Sequence, residues 1–384
     1  MSLPKPPRYV ALDSYRFLAA SGVVLYHYNA DFRLGLEGGS RLVGNLGCMV
    51  DFFFVLSGFV ITQGYRDRLG SLREYGTFLR ARLARIYPLH ALILAAYLLL
   101  AALAGLLRVQ PNHPEILAMS GLPANLALVQ AWGVLDHPSF NVPSWSISAE
   151  WFVYLLAPAI LLIARRAGLG LSLCLACLSI AAMIAVRRSL GAQDWMDSTY
   201  QFGMLRAVPS FLAGAAIAEA MRSGRLRGRP SWWLVHGLAA AVLVVLSLDV
   251  PRELVLPLFC LLVASVALAD LGGEASMLKS RVLRRLGDSS YALYMCHVLV
   301  SVPFLLAARH LQLLAPPWSF AFAAASYGTA IALSLVSYSF FEQPVRRWLT
   351  KGRLGAVSDR PDASASSLSP LVGRGRATPK ASTG

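Results

Sequence analysis

The sequence predicts an all-α polytopic membrane protein, a bundle of about ten transmembrane helices. Of its 384 residues, 56% are hydrophobic and only 14% are charged, and the mean hydropathy is +0.56. A soluble domain typically carries about 25% charged residues. The net charge of +15 does not indicate a nucleic-acid partner. The basic residues fall in short clusters between apolar runs, which is typical of membrane topology.

Ten apolar runs approach or reach the length that a bilayer core of roughly 30 Å requires. The charge pattern predicts that the N-terminus and the C-terminus are both cytoplasmic. With that orientation, 26 of the 35 Lys and Arg residues face the cytoplasm and 7 face the other side. The predicted runs are 9–29, 44–64, 86–107, 151–164, 169–187, 202–220, 232–248, 254–270, 289–308 and 318–341.

The first run carries an arginine and a histidine on one helix face. Arg16 and His27 are eleven residues apart, which at about 100° per residue ends roughly 20° past three full turns. They line one stripe, about 16 Å apart along the axis, with Arg16 on the cytoplasmic side. An ionisable group at bilayer depth costs at least about 2.5 kcal/mol, so it needs a partner and usually has a task.

The second run brings Asp51 to its outer third, where we expect it to meet His27. A carboxylate beside an imidazole fixes the tautomer and stabilises the imidazolium, which is the usual support for a general base. The alternative is a buried charge pair that only joins two helices. Further along this run, Ser57 and Gly58 indicate a close backbone approach or a bend.

Two arginines precede the third run and share a helix face. Arg82 and Arg85 are three residues apart, whereas Arg80 points elsewhere. Two guanidinium groups at the mouth of the membrane suit a phosphate-bearing ligand, because arginine binds phosphate oxygens in a bidentate manner. The alternative is that these residues follow the positive-inside pattern and contact lipid headgroups.

Glu150 ends a long outer loop, about 108–150, at the start of the fourth run. Its predicted depth is that of His27 and Asp51, where it is a candidate for proton transfer or for contact with a substrate. The alternative is a helix cap, because an acid is stabilised at a helix N-terminus. Loops of this length are more often functional than connective.

The ninth and tenth runs add polar residues on the cytoplasmic half. Tyr291, Tyr294 and His297 recur at every third position and predict a polar stripe, although such a histidine can also be a packing residue. Glu342 lies at the cytoplasmic edge, where it can pair with an arginine of the first or third segment. We expect no metal site.

The chain divides into a membrane domain, residues 1–345, and a tail, residues 346–384. The tail is rich in Arg, Ser, Ala, Gly and Pro, with too little apolar content to fold alone. We therefore expect a disordered, basic, cytoplasmic tail.

Six of these segments, in this order, resemble the membrane acyltransferase-3 family of bacterial O-acyltransferases. That family modifies polysaccharides, lipopolysaccharide, nodulation factors and some antibiotics. The resemblance covers roughly residues 9–345, and we expect the stand-alone type without a hydrolase-like domain. It rests on Arg16 followed after ten residues by His27, on GCMVDFFFVLSGF, on Arg82-x-x-Arg85, on WSISAEWFVY, on SYALYMCH and on FEQP.

The resemblance implies an enzyme of the bacterial cytoplasmic membrane that moves an acyl group, acetyl above all, from cytoplasmic acyl-coenzyme A. The acceptor would be a hydroxyl of a glycan, a glycolipid or another exported molecule. It implies His27 as the catalytic residue, with Arg16, Arg82 and Arg85 near the donor. His27 would take the acceptor's proton or accept the acyl group itself, with Asp51 orienting it. Acyl-coenzyme A would be a co-substrate, membrane lipid would surround the protein, and no bound cofactor is expected.

Two other classes of protein would also be polytopic. A secondary transporter or flippase for a glycan or small molecule would favour inverted repeats and matching interrupted runs, and the sequence shows neither. A membrane scaffold would explain the helices but not the stripe of Arg16 and His27. Turnover of acyl-coenzyme A by the purified protein separates the classes, since a transporter and a scaffold predict none.

Overall fold

The computed structural model describes residues 8–36, 38, 40–108, 113–189 and 195–350, and within them the chain is helical without strands. The all-α prediction is therefore confirmed. Among these residues, seven helical segments are long and apolar enough to cross a membrane. The helices are α1 (Val10–Asp31), α2 (Leu42–Asn45), α3 (Met49–Tyr65), α4 (Leu72–Leu106), α5 (Leu122–Leu126), α6 (Trp145–Leu155), α7 (Ala157–Ser189), α8 (Gly203–Arg222), α9 (Trp232–Ser247), α10 (Val255–Leu271), α11 (Arg281–Asp288), α12 (Ser290–His310), α13 (Trp318–Ser337) and α14 (Gln343–Thr350).

Gly168 divides α7, because its backbone (φ 69°, ψ −174°) is not helical. A Cβ at Gly168 would lie 3.1 Å from Arg225, just past the end of α8, so residues 169–189 lie antiparallel to α8. The chain therefore bends at Gly168, between the predicted runs 151–164 and 169–187. With α1 and the shorter apolar helix α9, the described helices accommodate the ten predicted runs.

Helices α3 and α8 touch backbone to backbone. A Cβ at Gly58 would collide with the carbonyl oxygen of Phe211, and one at Gly214 would collide with that of Val55. Small residues at such positions let helices approach closely in a membrane, where van der Waals packing drives their association. Of the two roles predicted for Gly58, the structure shows the close approach.

Residues 139–144, near the end of the predicted outer loop, enter the helix bundle. Nδ2 of Asn141 donates to the backbone oxygen of Met295 at 3.0 Å. The Tyr294 hydroxyl donates to the backbone oxygen of Pro143, also at 3.0 Å. Irregular backbone at membrane depth is tolerated where surrounding protein satisfies its polar groups. The segment therefore fixes the start of α6 inside the bundle.

The end of the bundle where α1 begins is called the basic end below. Arg8 donates to both Asp13 and Asp288 there, and Arg66 donates to Glu219 at 2.6 Å. These bonds join α1 to α11 and α3 to α8. The charge pattern predicts this end to be cytoplasmic, and that orientation stays a prediction.

The predicted domain boundary at residue 345 falls inside a helix. Helix α13 passes through one wide π-helical turn, Tyr338–Glu342, directly into α14. Residues 346–350 are therefore helical and not part of a disordered tail. The rest of the predicted tail, residues 351–384, lies outside the described residues, so its disorder stays a prediction.

Candidate active site

Three arginines from two helices gather near the basic end, and we call them the arginine cluster: Arg16 on α1 with Arg82 and Arg85 on α4. All three are partly buried, whereas Arg80 is exposed. Arg16 lies within electrostatic range of Arg85 and of Glu150. Because like charges at such range repel one another in a low-dielectric site, the cluster favours a bound anion.

Arg82 stacks on an aromatic ring and keeps one donor free. Its Nη2 donates to the Tyr65 hydroxyl at 3.1 Å, and its Cζ lies 5.1 Å from the centroid of that ring. Its buried Nε has no hydrogen-bond partner in the part of the chain that the structure describes. A buried donor without a partner is costly, so this atom marks a position where a ligand oxygen can bind.

Arg85 faces a carboxylate and a tyrosine. Its Nη1 lies 3.6 Å from Oε2 of Glu342, and its Cζ lies 5.4 Å from the centroid of the Tyr291 ring. The Tyr291 hydroxyl donates to the backbone oxygen of Ile86 at 2.6 Å, which joins α12 to α4. Glu342 therefore pairs with an arginine of the third segment, one of the two partners that the sequence allowed.

Glu150 accepts two hydrogen bonds at one carboxylate oxygen. Oγ of Ser57 donates to Oε1 of Glu150 at 2.8 Å, and the Tyr154 hydroxyl donates to the same atom. The bonds link α3 with α6, so Ser57 has a polar partner in addition to its close-packed neighbour Gly58. The network leaves the second oxygen of Glu150 free of these two donors.

The predicted depth of Glu150, level with His27, is wrong. Glu150 lies within electrostatic range of Arg16 and Arg82, so it belongs with the arginine cluster. The reason is that residues 139–144 enter the bundle before α6 begins. A count of residues from the loop to the first apolar run does not show this insertion.

Asp51 is fully buried, and its carboxylate is bound by Arg206 of α8. Nη2 of Arg206 donates to Oδ2 at 2.6 Å, and Nε donates to Oδ1 at 3.1 Å. The same guanidinium donates to the backbone oxygen of Met196 and lies 5.1 Å from the centroid of the Trp145 ring. The predicted contact of Asp51 with His27 is therefore wrong, and the alternative, a buried pair joining two helices, is what the structure shows.

The register of α1 against α3 explains this difference. A Cβ at Gly47 would lie 3.7 Å from the Tyr26 ring, so residues 47 and 26 are level. Asp51 follows four residues later, which is about 6 Å further toward the basic end. It is thus more than a turn below His27, and it faces α8.

His27 instead meets a second histidine. The ring centroids of His27 and His297 are 5.1 Å apart, and His297 is fully buried. Nδ1 of His297 donates to the backbone oxygen of Tyr294 at 2.7 Å. The Tyr28 hydroxyl donates to the backbone oxygen of His297 at 3.1 Å and lies 2.7 Å from Oγ of Ser326. The sequence placed His297 deeper than His27, whereas the structure places the two rings side by side.

Tyr291 and Tyr294 connect the arginine cluster with the two histidines. Tyr291 lies under Arg85, and Tyr294 lies about one turn further along α12. The Tyr294 ring centroid is 6.1 Å from that of His297, and Tyr294 is within electrostatic range of Glu150. The predicted stripe on α12 therefore runs alongside the predicted stripe on α1.

Arg206, Tyr65 and Tyr154 also belong to this interior and were not predicted. The signal for Arg206 was available, because an arginine within a run needs a counter-charge and Asp51 is an acid within another run. The two tyrosines carry no distinguishing pattern in the sequence. Among the described residues, no group of three or more His, Cys, Asp or Glu side chains is arranged to hold a metal ion.

Comparison with known proteins gives one family. The family described as "Acyltransferase domain" matches residues 9–337. Acyltransferase MdmB of Streptomyces mycarofaciens is 31% identical over 93% of this chain and 97% of its own length. The putative peptidoglycan O-acetyltransferase YrhL of Bacillus subtilis is 26% identical over 88% of this chain and 55% of its own length. The peptidoglycan O-acetyltransferase OatA of Listeria monocytogenes is 29% identical over 40% of this chain and 24% of its own length. No solved structure matches the chain.

Proposed function

Because the chain belongs to this acyltransferase family and is a membrane O-acyltransferase, we propose that acyl-coenzyme A is its donor. We propose a hydroxyl of a cell-surface or exported glycan or glycolipid as the acceptor, and acetyl as the first acyl group to test. The main support for this proposal is that the arginine cluster and His27 lie in one bundle and are connected by the tyrosines of α12.

The arginine cluster suits the donor because acyl-coenzyme A is rich in phosphate. Guanidinium groups bind phosphate oxygens through paired, charge-assisted hydrogen bonds. Arg82 has a buried Nε with no bond to any other described residue, and Arg85 is held at 3.6 Å by a single carboxylate. Glu150 lies beside the cluster and offsets part of its charge before the donor binds.

The long flexible arm of the donor would then carry the acyl group toward His27. Arg16 and His27 lie about 16 Å apart on one face of α1. Tyr291 and Tyr294 border the same interior from α12. The proposed route runs along these side chains, from the basic end to the pair of histidines.

Two reaction sequences fit His27. In direct transfer, its ring nitrogen takes the proton of the acceptor hydroxyl while that oxygen attacks the thioester carbonyl. The carbon–sulfur bond then breaks, and coenzyme A leaves as the thiol with that proton. In the two-step sequence, the ring nitrogen attacks the carbonyl and coenzyme A departs as the thiolate. The acceptor oxygen then takes the acyl group from the histidine, and the acceptor's proton passes to that thiolate. Both sequences need a neutral His27 with one free lone pair, which points at the acceptor hydroxyl in direct transfer and at the thioester carbonyl in the two-step sequence.

We place the protein in the bacterial inner membrane, with its N-terminus and its C-terminus both in the cytoplasm. It is supported by 26 cytoplasmic Lys and Arg residues against 7 on the other side. It would place the arginine cluster on the donor's side and His27 nearer the outer face. Two relatives named peptidoglycan O-acetyltransferases support a glycan acceptor.

Replacing Arg82 or Arg85 by alanine is expected to raise the apparent KM for acetyl-coenzyme A about 10- to 100-fold. A hydrogen bond to a charged group is worth about 1.5–3 kcal/mol, which corresponds to that range. The measurement is thiol release by the purified protein at varied donor concentration. Lysine at either position should restore binding only partly, because it cannot make the bidentate fork.

Arg80→Ala is the matched control, since Arg80 is on the same helix and exposed. We expect its kinetic constants to equal those of the wild type. A change in the apparent KM for the acceptor alone, in the Arg82 or Arg85 variants, would contradict the donor-binding role.

A cysteine probe tests the proposed orientation. With the five native cysteines replaced, His27→Cys is expected to react with a membrane-impermeant thiol reagent added from outside. Acetyl-coenzyme A added inside should slow the labelling, because the acyl arm would occupy the same interior. Labelling only from the cytoplasmic side would overturn the orientation and the through-membrane route, while leaving the family assignment intact.

A further inference from the structure

We propose that His297 holds His27 in its working orientation by accepting a hydrogen bond from one of its ring nitrogens. The proposal rests on the role of His27 proposed above. It assigns to an imidazole the orienting role that the sequence predicted for Asp51. His297 would be a positioning residue, since it acts through His27 and not on the substrate.

The hydrogen bonding of His297 leaves one ring atom available. Nδ1 donates to the backbone oxygen of Tyr294 at 2.7 Å, so Nδ1 carries the hydrogen of the neutral ring. Nε2 then has a lone pair and acts as an acceptor. This atom is buried and has no hydrogen-bond partner among the residues that the structure describes. Buried polar atoms are rarely left without partners, so we expect a hydrogen-bond donor close to Nε2.

His27 is the donor that the geometry offers. The two ring centroids are 5.1 Å apart, with 46° between the ring planes. An N–H···N hydrogen bond of about 2.9 Å brings two imidazole centroids to a separation on the order of 5 Å. The observed separation of the two rings therefore matches that of a hydrogen-bonded pair of imidazoles.

The bond would prepare His27 for either reaction sequence. If one ring nitrogen of His27 donates to His297, the other nitrogen carries the lone pair that both sequences need. In serine proteases a carboxylate fixes the tautomer of the catalytic histidine in this way. A neutral imidazole gives the same orientation as a carboxylate, but it does not bury a negative charge beside the thioester.

The backbone around His297 is held firmly enough to serve this purpose. The Tyr28 hydroxyl ties α1 to the His297 carbonyl at 3.1 Å and lies 2.7 Å from Oγ of Ser326 on α13. Asn141 ties the inserted segment to the Met295 carbonyl at 3.0 Å. Helix α1 and the inserted segment thus bond directly to the part of α12 that carries the ring, and α13 holds the Tyr28 hydroxyl in place.

Two amide substitutions at this position separate the two ring nitrogens. His297→Gln places an amide group near the position of Nε2, whereas His297→Asn places one near Nδ1 and keeps the bond to Tyr294. We expect the Gln variant to retain kcat for acetyl transfer within about tenfold of the wild type. We expect the Asn variant to lose about a hundredfold, the lower end of a general base's contribution, with the donor KM unchanged.

A purely structural role predicts the reverse order, because only the Asn variant keeps the bond to the Tyr294 carbonyl. Equal or better activity of the Asn variant would therefore overturn the proposal. A second measurement needs neither variant. Nuclear magnetic resonance of the wild type labelled with ¹⁵N-histidine is expected to show coupling between His27 and His297 nitrogens, with the resonances assigned by single replacements.

The two measurements separate this proposal from the proposed donor. If the wild type does not use acetyl-coenzyme A, the donor proposal fails, and the nitrogen coupling still decides the histidine contact. If turnover is normal but the His27 nitrogens show no coupling and do not change in the Asn variant, the contact is refuted and the proposed function stands.

Discussion

His27→Ala is expected to lower the rate of acyl transfer by at least about a hundredfold, the lower end of what a positioned general base contributes. The loss should be larger if His27 carries the acyl group, because alanine has no nitrogen to which that group can be transferred. We expect this loss because His27 lies where the polar stripes of α1 and α12 meet. The centroid of its ring is 5.1 Å from that of the His297 ring.

The test combines an assay in detergent with one in cells. Thiol release from acetyl-coenzyme A reports the chemical step, and analysis of cell-surface glycan reports the product. His236→Ala is the matched control, because His236 is an exposed histidine on α9. It should leave both measurements unchanged. Unchanged surface acylation in the His27 variant, with normal insertion, would end the catalytic assignment.

Periodicity along single helices predicts a large part of this interior. Spacing alone put Arg16 with His27 on one face of α1 and Arg82 with Arg85 on one face of α4. It also put Tyr291, Tyr294 and His297 in one stripe. These predictions need only the helical repeat, which does not depend on the neighbouring elements. The apolar fraction and the distribution of charge predict the all-α class in the same way.

Relations between helices were predicted less well, because they depend on register and on inserted backbone. If α3 slides along α1 by one helical turn, each of its side chains moves about 5.4 Å along the axis and stays on the same face of the helix. Asp51 lies more than one turn below His27, which takes it out of reach of that ring, and it pairs with Arg206 of α8. Glu150 moved toward the arginine cluster because residues 139–144 enter the bundle. Neither effect is visible in the composition or in the apolar runs.

The sequence does not identify the acceptor, for a physical reason. Donor binding relies on charge, and charge is explicit in the sequence. Recognition of a glycan relies on neutral hydroxyls and amides, which are common throughout this chain. The inserted segment contributes buried Ser139, Asn141 and Ser144 between the outer loop and α6. Its polar atoms are occupied in part by α12, which links the loop to the helix of His297.

Removing one member of the buried pair of Asp51 and Arg206 is expected to have the largest effect on stability. Both side chains are almost inaccessible, at 0% and 3% exposed. Loss of one partner leaves the other charge buried without compensation, which costs about 3–5 kcal/mol. Asp51→Leu should therefore lower the unfolding temperature in detergent sharply. Asp249→Asn is the control, because its pair with Arg41 is 78% and 63% exposed and exposed pairs contribute about 0–1 kcal/mol.

The double variant Asp51→Leu with Arg206→Met then separates structure from catalysis. Replacing a buried ion pair by apolar residues of similar size is often neutral or stabilising, so the double variant should recover most of the unfolding temperature. Because Asp51 lies more than a turn below His27 and is bonded to Arg206, we also expect acyl transfer to recover. Restored stability without restored turnover would show that Asp51 or Arg206 also acts in the reaction.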